Sequence, residues 1–100
     1  MNNDQTSELI EMVDAALSRH ANASRNLAKE LKAIQWRFRG PNGEHVGLGP
    51  VAQGSPFRFV PESKEQVFDG RDNEAIKRRV YELALGPLTV EIIPQITEAA

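Results

Sequence analysis

The chain of 100 residues contains no cysteine, and it has only two methionines, two histidines, one tryptophan and one tyrosine. The absence of cysteine excludes disulfide bonds, thiol nucleophiles and zinc sites built on thiolates, and it is typical of proteins of a reducing compartment. The two histidines, His20 and His45, are too far apart to begin a cluster with metal-ligand spacing. We therefore expect no metal ion and no cofactor.

The chain also lacks a strong excess of charge of either sign and any long hydrophobic run. A formal net charge of -2 argues against a strongly basic nucleic-acid-binding domain. No stretch approaches the ~20 apolar residues that a membrane span needs. The first residues carry no basic segment followed by an apolar run, as a signal peptide would. We therefore expect a cytoplasmic protein without membrane contact.

The composition that remains is that of a folded domain, because 40% of the residues are hydrophobic and 26% are charged. The length predicts a single domain over 6–93, between a flexible leader at 1–5 and a loose tail at 94–100. A chain of this size buries only a little over ~60% of the surface of its unfolded form. A second subunit would therefore add useful stability.

The strongest pattern is a spacing of three and four residues through the first third of the chain. It is typical of a helix with one apolar face and predicts a long helix over 6–32. Residues 20–26 include several poor helix formers, so a turn between two shorter helices is the alternative. The spacing continues across them and favours one helix. The residues on this face of the helix, here called the seam, are Ile10, Val13, Leu17, His20, Ser24, Leu27 and Leu31.

The predicted helix is long for so small a protein. It would extend about 39 Å at ~1.5 Å per residue, whereas a compact chain of this length has a diameter of about 33 Å. Each large apolar side chain left in water at its outer end would cost roughly 1.5–3 kcal/mol. The seam therefore predicts a homodimer or small bundle, antiparallel because alanines flank it. The alternative is that the seam covers the protein's own sheet.

The rest of the chain alternates between strand and helix patterns. Alternating apolar residues on either side of the turn at 40–43 predict a hairpin, and the segment 33–60 holds it and a third strand at 57–60. A loop is expected over 49–56 and irregular chain over 61–71. A second helix over 72–85 carries Ile76, Val80, Leu83 and Ala84 on its apolar face, and a last strand occupies 88–93. The predicted fold is α+β with an antiparallel sheet of three or four strands, in the order α-β-β-β-α-β.

One group of side chains suggests binding chemistry. Arg37, Arg39 and Arg58 lie on predicted strands, each on the face opposite the neighbouring aromatic residues, and His45 follows the hairpin turn. Because a guanidinium binds phosphate and carboxylate through two parallel hydrogen bonds, these residues predict an anion-binding or nucleic-acid-binding face. The alternative is a solvated outer face above an aromatic core.

The sequence contains no motif around a nucleophile or an acid–base pair, so we assign no catalytic residue. It predicts a small non-enzymatic protein–protein interaction module, such as a regulator, an adaptor or an inhibitor of a larger complex, that self-associates through its N-terminal helix. Two alternatives remain open. One is nucleic-acid or anion binding by the arginine face, and the other is an enzyme or small-molecule binder with a site between subunits.

Overall fold

The computed structural model describes residues 4–21, 24–52 and 54–94, and it confirms the predicted α+β class. A short 3-10 turn, Glu62–Lys64, lies between the third and fourth strands. The helices and strands are α1 (Asp4–Arg19), α2 (Ser24–Ala33), β1 (Gln35–Arg39), β2 (His45–Ala52), β3 (Ser55–Val60), β4 (Phe68–Asp69), α3 (Glu74–Leu85) and β5 (Thr89–Ile92).

The sheet is antiparallel and is organised around β1. This strand pairs with β2 at its C-terminal end, with β4 at its N-terminal end, and with β5 over four consecutive residue pairs. β3 pairs with β2. The turn between β1 and β2 contains Gly43 with a φ of 81°, as the sequence predicted. The two-residue strand β4 brings the described sheet to five strands, one more than the most that was predicted.

The core lies between the sheet and the helices, and aromatic rings fill its centre. Trp36 stacks on Phe68 with 4.6 Å between ring centroids, and Phe38 lies 5.4 Å from Tyr81 of α3. The indole Nε1 of Trp36 donates a hydrogen bond of 2.9 Å to the carbonyl oxygen of Asp69. Because a buried N–H without an acceptor is costly, this bond fixes β4 against β1.

The prediction of one helix over 6–32 is wrong. α1 ends at Arg19, and α2 begins at Ser24. The carboxylate of Glu30 contacts both Arg19 and His20, and His20 Nε2 lies 2.8 Å from Glu30 Oε2. A continuous helix would separate residues ten apart by about 15 Å, so α2 folds back against α1. The break falls in the segment rich in Asn and Ser, whose side chains compete with helical hydrogen bonding.

The break removes the reason for expecting an overhanging helix. α1 is 16 residues long, which corresponds to about 24 Å at ~1.5 Å per residue. The principal extents of the molecule are 44 × 30 × 28 Å, so α1 fits within the globule. The argument for assembly from helix length therefore fails.

The buried face of α1 also lies beside the predicted seam rather than on it. Leu9 and Ala16 are buried, whereas Ile10 and Leu17 are 49% and 45% exposed. On α2, Leu31 is buried as a core residue. The other seam residues divide as follows: Val13, His20 and Leu27 are partly buried, and the side chain of Ser24 lies outside the described residues.

Several element boundaries differ from those predicted. β2 extends to Ala52 and β3 starts at Ser55, so most of the expected loop over 49–56 is strand, with a register shift that admits Pro50. α3 begins at Glu74 because Asn73 caps it and accepts a 3.1 Å hydrogen bond from the Ile76 amide. Residues 4–5 of the predicted leader belong to α1. The rest of the leader, and the tail beyond residue 94, lie outside the described residues.

Gly47 provides a test of the packing beside β2. A Cβ at this position would lie 2.7 Å from the Lys64 carbonyl oxygen and 2.9 Å from Val60 Cγ2. We expect Gly47→Ala to lower the free energy of unfolding by about 1–3 kcal/mol, because the crowding involves backbone. Urea denaturation followed by circular dichroism measures this change.

Gly49, two residues along the same strand, is the matched control. Its added Cβ would meet only the side chain of Arg58, at 3.1 Å. We expect Gly49→Ala to change the free energy of unfolding by less than about 1 kcal/mol, since a flexible side chain can move away. Equal destabilisation by the two variants would contradict the close approach at Gly47.

Candidate interaction surfaces

The sheet face opposite the aromatic core carries a set of paired charges, here called the outer-face network: Arg37, Arg39, His45, Glu65 and Glu91. Arg37 donates hydrogen bonds of 2.6 Å to both Glu65 and Glu91. Arg39 Nε donates a 2.8 Å hydrogen bond to Glu91, and His45 Nδ1 lies 2.5 Å from Glu65 Oε1. Strand pairing places β1 beside β2 and β5, and the Glu65–Gly47 bridge adds Glu65 to the same face.

The network compensates its own charge. Burial raises the pKa of Glu65, but the hydrogen bonds from Arg37 and His45 outweigh it, and the pKa lies below its ordinary value. The pKa of Glu91 is lowered in the same way: its burial is outweighed by Arg39 and Arg37. His45 Nε2 lies 3.2 Å from Arg39 Nη1, so the imidazole lies between Arg39 and Glu65. Two guanidinium groups thus face two carboxylates.

The structure brings together three of the four residues predicted for an anion-binding face. Arg58 is the exception. Its Nη2 donates hydrogen bonds to the carbonyl oxygens of Pro50 and Ser55, at 2.6 and 3.3 Å, and stabilises the end of the β2–β3 pair. Sequence reasoning missed Glu65 and Glu91. Glu91 alternates with Val90 and Ile92 and so lies on the polar side of its strand, but only the pairing of β5 with β1 shows that it meets the arginines.

A second surface is the outward side of α3, here called the α3 stripe: Ile76, Val80 and Leu83. These side chains are 61%, 42% and 86% exposed. The sequence analysis placed them on one face of this helix, and in the structure that face is turned outward. α3 instead buries Tyr81, whose ring lies 4.2 Å from that of Phe57. A tyrosine ring buries more apolar area than an aliphatic side chain, so it determines which way the helix faces.

A third feature is a groove of about 240 Å³ between α1 and the beginning of α3, here called the α1–α3 groove. The two helices are joined beside it by a 2.6 Å hydrogen bond from Arg78 Nη2 to Thr6 Oγ1. Its lining residues are Leu9, Ile10, Val13, Asp14, Trp36, Asp72, Asn73, Glu74 and Ala75. The floor is apolar and the sides carry carboxylates.

Two classes of site have no support in the described part of the chain. Among residues 4–21, 24–52 and 54–94, no three His, Asp or Glu side chains are grouped so that they could hold a metal ion. None of the helices described for this chain is long and apolar enough to cross a bilayer.

The chain matches no protein-family model, no curated protein and no solved structure. A functional proposal therefore depends on the chemistry of the three surfaces.

The outer-face network predicts a specific loss of stability in acid. Because the pKa of Glu65 is lower in the folded chain, its contribution is complete above the ordinary carboxyl value of about 4.3 and is lost as the pH falls through the folded value. We expect Glu65→Gln to lower the free energy of unfolding at pH 7 by about 1.5–3 kcal/mol. The variant should also lose less stability than the parent below about pH 4.3.

Urea denaturation at a series of pH values from 7 down to 3 measures both effects. Glu62→Gln, an exposed neighbour in the 3-10 turn, removes the same charge without touching the network. It should leave the pH dependence almost unchanged. Parallel stability curves for the parent and Glu65→Gln would show that Glu65 is not held by Arg37 and His45.

Proposed function

We propose that this chain is a small non-enzymatic protein–protein interaction module that self-associates, and that its contact surface is the α3 stripe. Such a module serves as an adaptor or regulator within a larger complex. The observation that carries the proposal is the exposure of Ile76, Val80 and Leu83 on one side of one helix. Their spacing of four and three residues is that of a helix that packs lengthwise on another helix.

The exposed apolar area of the α3 stripe sets the expected free energy of self-association. At roughly 1.5–3 kcal/mol for each fully buried side chain, scaled by exposure, the six side chains of two copies yield on the order of 8 kcal/mol. Association itself costs at least about 4 kcal/mol. The balance of about 4 kcal/mol corresponds to a weak complex, with a Kd of about 1 mM.

The order of residues in the stripe favours a second copy of the chain as the partner. Val80 lies four residues after Ile76 and three before Leu83. In a two-fold antiparallel contact, Ile76 of one copy packs against Leu83 of the other, and Val80 lies close to the axis. The exposed side chain of Arg79 then approaches its own copy, so association should strengthen when salt screens this repulsion.

The other functional hypotheses have less support. Self-association through the α1 seam stays a prediction; it retains the half-exposed Ile10 and Leu17 but has lost the argument from helix length. For nucleic-acid or anion binding, Arg37 and Arg39 are already paired with carboxylates. The third hypothesis, an enzyme or small-molecule binder with a site between subunits, stays a prediction.

Sedimentation equilibrium over about 50 µM to 3 mM tests the proposal, since this range extends to both sides of the expected Kd of about 1 mM. We expect the parent to shift from monomer toward dimer and the Leu83→Asp variant to remain monomeric. Leu83 is exposed, so the substitution should not unfold the chain, and circular dichroism checks this.

Leu17→Asp is the matched control on α1, because Leu17 is also an exposed leucine on a helix. It should dimerise like the parent. A parent that is monomeric at about 3 mM would refute self-association. Dissociation by Leu17→Asp but not by Leu83→Asp would refute the α3 stripe and move the contact to the predicted seam.

A further inference from the structure

The α1–α3 groove has the size of a site for one side chain. Its volume of about 240 Å³ lies below the roughly 300–1,000 Å³ of sites for drug-sized ligands. It is large enough for one long side chain and some flanking backbone. Its residues are different from those of the α3 stripe, so it can be occupied independently of self-association.

The floor of the groove suits a hydrocarbon chain. Leu9 and Val13 lie on one face of α1, and Trp36 closes the base from β1. Leu9 and Trp36 are almost fully buried, so the apolar surface that a ligand can contact is that of Ile10 and Val13. A methylene chain laid across these side chains would leave water without losing hydrogen bonds.

The sides of the groove carry negative charge with spare capacity to accept hydrogen bonds. Asp14, on α1, is exposed and forms no hydrogen bond or ion pair with the described residues. On the opposite side, Asp72 Oδ2 accepts a 2.9 Å hydrogen bond from the Asp69 amide. The adjacent end of α3 contributes about half a positive charge. The groove has three carboxylates, and the positive charges beside them in the described part of the chain are only Arg78 and the end of α3. The groove is therefore net negative.

Glu74 adds a buried acceptor. Its side chain is 9% exposed, and its Oε2 lies 2.7 Å from Arg78 Nε. The Nε–H does not point at that oxygen, however, and neither atom forms a hydrogen bond. This oxygen has almost no accessible surface and Arg78 balances its charge, so binding in the groove depends on the exposed carboxylate of Asp14.

We propose that the α1–α3 groove binds an arginine side chain of a partner peptide. Arginine combines the two features that the groove requires, a hydrocarbon stem and a charged group with several N–H donors. The stem lies over Ile10 and Val13, and the guanidinium donates to Asp14. The fork of donors can form two parallel hydrogen bonds with the Asp14 carboxylate, whereas a lysine ammonium is a point charge.

A capped peptide with one arginine between two leucines is the probe. It is titrated into the 15N-labelled chain, and the amide shifts of Ile10, Asp14 and Ala75 are followed by NMR. We expect saturable shifts at these amides, with a Kd of about 0.1–1 mM for so small a contact. The same peptide with citrulline, which has the same shape without the charge, should bind at least about tenfold more weakly.

Two charge-matched variants locate the contact. Asp14→Asn should weaken binding about three- to fivefold, the range for an exposed charge pair. Glu11→Gln, on the same helix but outside the groove, should change binding less than about twofold. Three results would each overturn the proposal: no groove shifts at several millimolar peptide, equal binding of the citrulline peptide, or no weakening by Asp14→Asn.

The titration is repeated on Leu83→Asp, which separates this proposal from self-association. Unchanged peptide affinity in that variant is expected, because Leu83 does not line the groove. Loss of binding in Leu83→Asp would place the peptide on the α3 stripe and refute the groove.

Discussion

The alternation of side chains along β1 is the constraint on which most of the structure depends. Trp36 and Phe38 point to the helices and Arg37 and Arg39 to the opposite face, because successive residues of a strand alternate. Trp36 and Phe38 must be covered by other apolar side chains, and β4 and α3 supply these. The arginine pair requires carboxylates, and these come from β5 and from Glu65. One five-residue strand therefore organises the core and the outer-face network together.

The orientation of α3 follows from the same core and determines which surfaces are left open. Tyr81 packs against Phe38, Phe57 and Phe68, so the side of α3 that faces the sheet is aromatic. The α3 stripe is then turned outward. The first turn of α3 meets α1 and closes one side of the α1–α3 groove. Both proposed contacts therefore use α3, one through its outward aliphatic side chains and the other through its N-terminal turn.

The two proposed contacts differ in their chemistry and so in their expected dependence on salt. The α3 stripe is aliphatic with a like charge nearby, which favours association at higher ionic strength. The α1–α3 groove is lined by carboxylates, so its binding of a cationic side chain should weaken as salt screens the attraction. The outer-face network, by contrast, is satisfied within the chain: its arginines are held by carboxylates whose pKa values they lower. We interpret that face as structural.

The sequence by itself determined the α+β class, the hairpin turn at Gly43 and the placing of the strand arginines opposite the neighbouring aromatic residues. These depend on local signals: backbone angles that favour glycine and the alternation within one strand. The structure decided between one long helix and the two helices α1 and α2, a choice that the sequence left open. Tertiary structure alone decided the exposed side of α3 and the pairing of the arginines with Glu65 and Glu91. Helical spacing shows that a helix has an apolar side, but competition among side chains for the core decides which side is buried. Contacts between residues distant in sequence leave no local pattern, so the carboxylates that neutralise the arginines could be recognised only after the strands were paired.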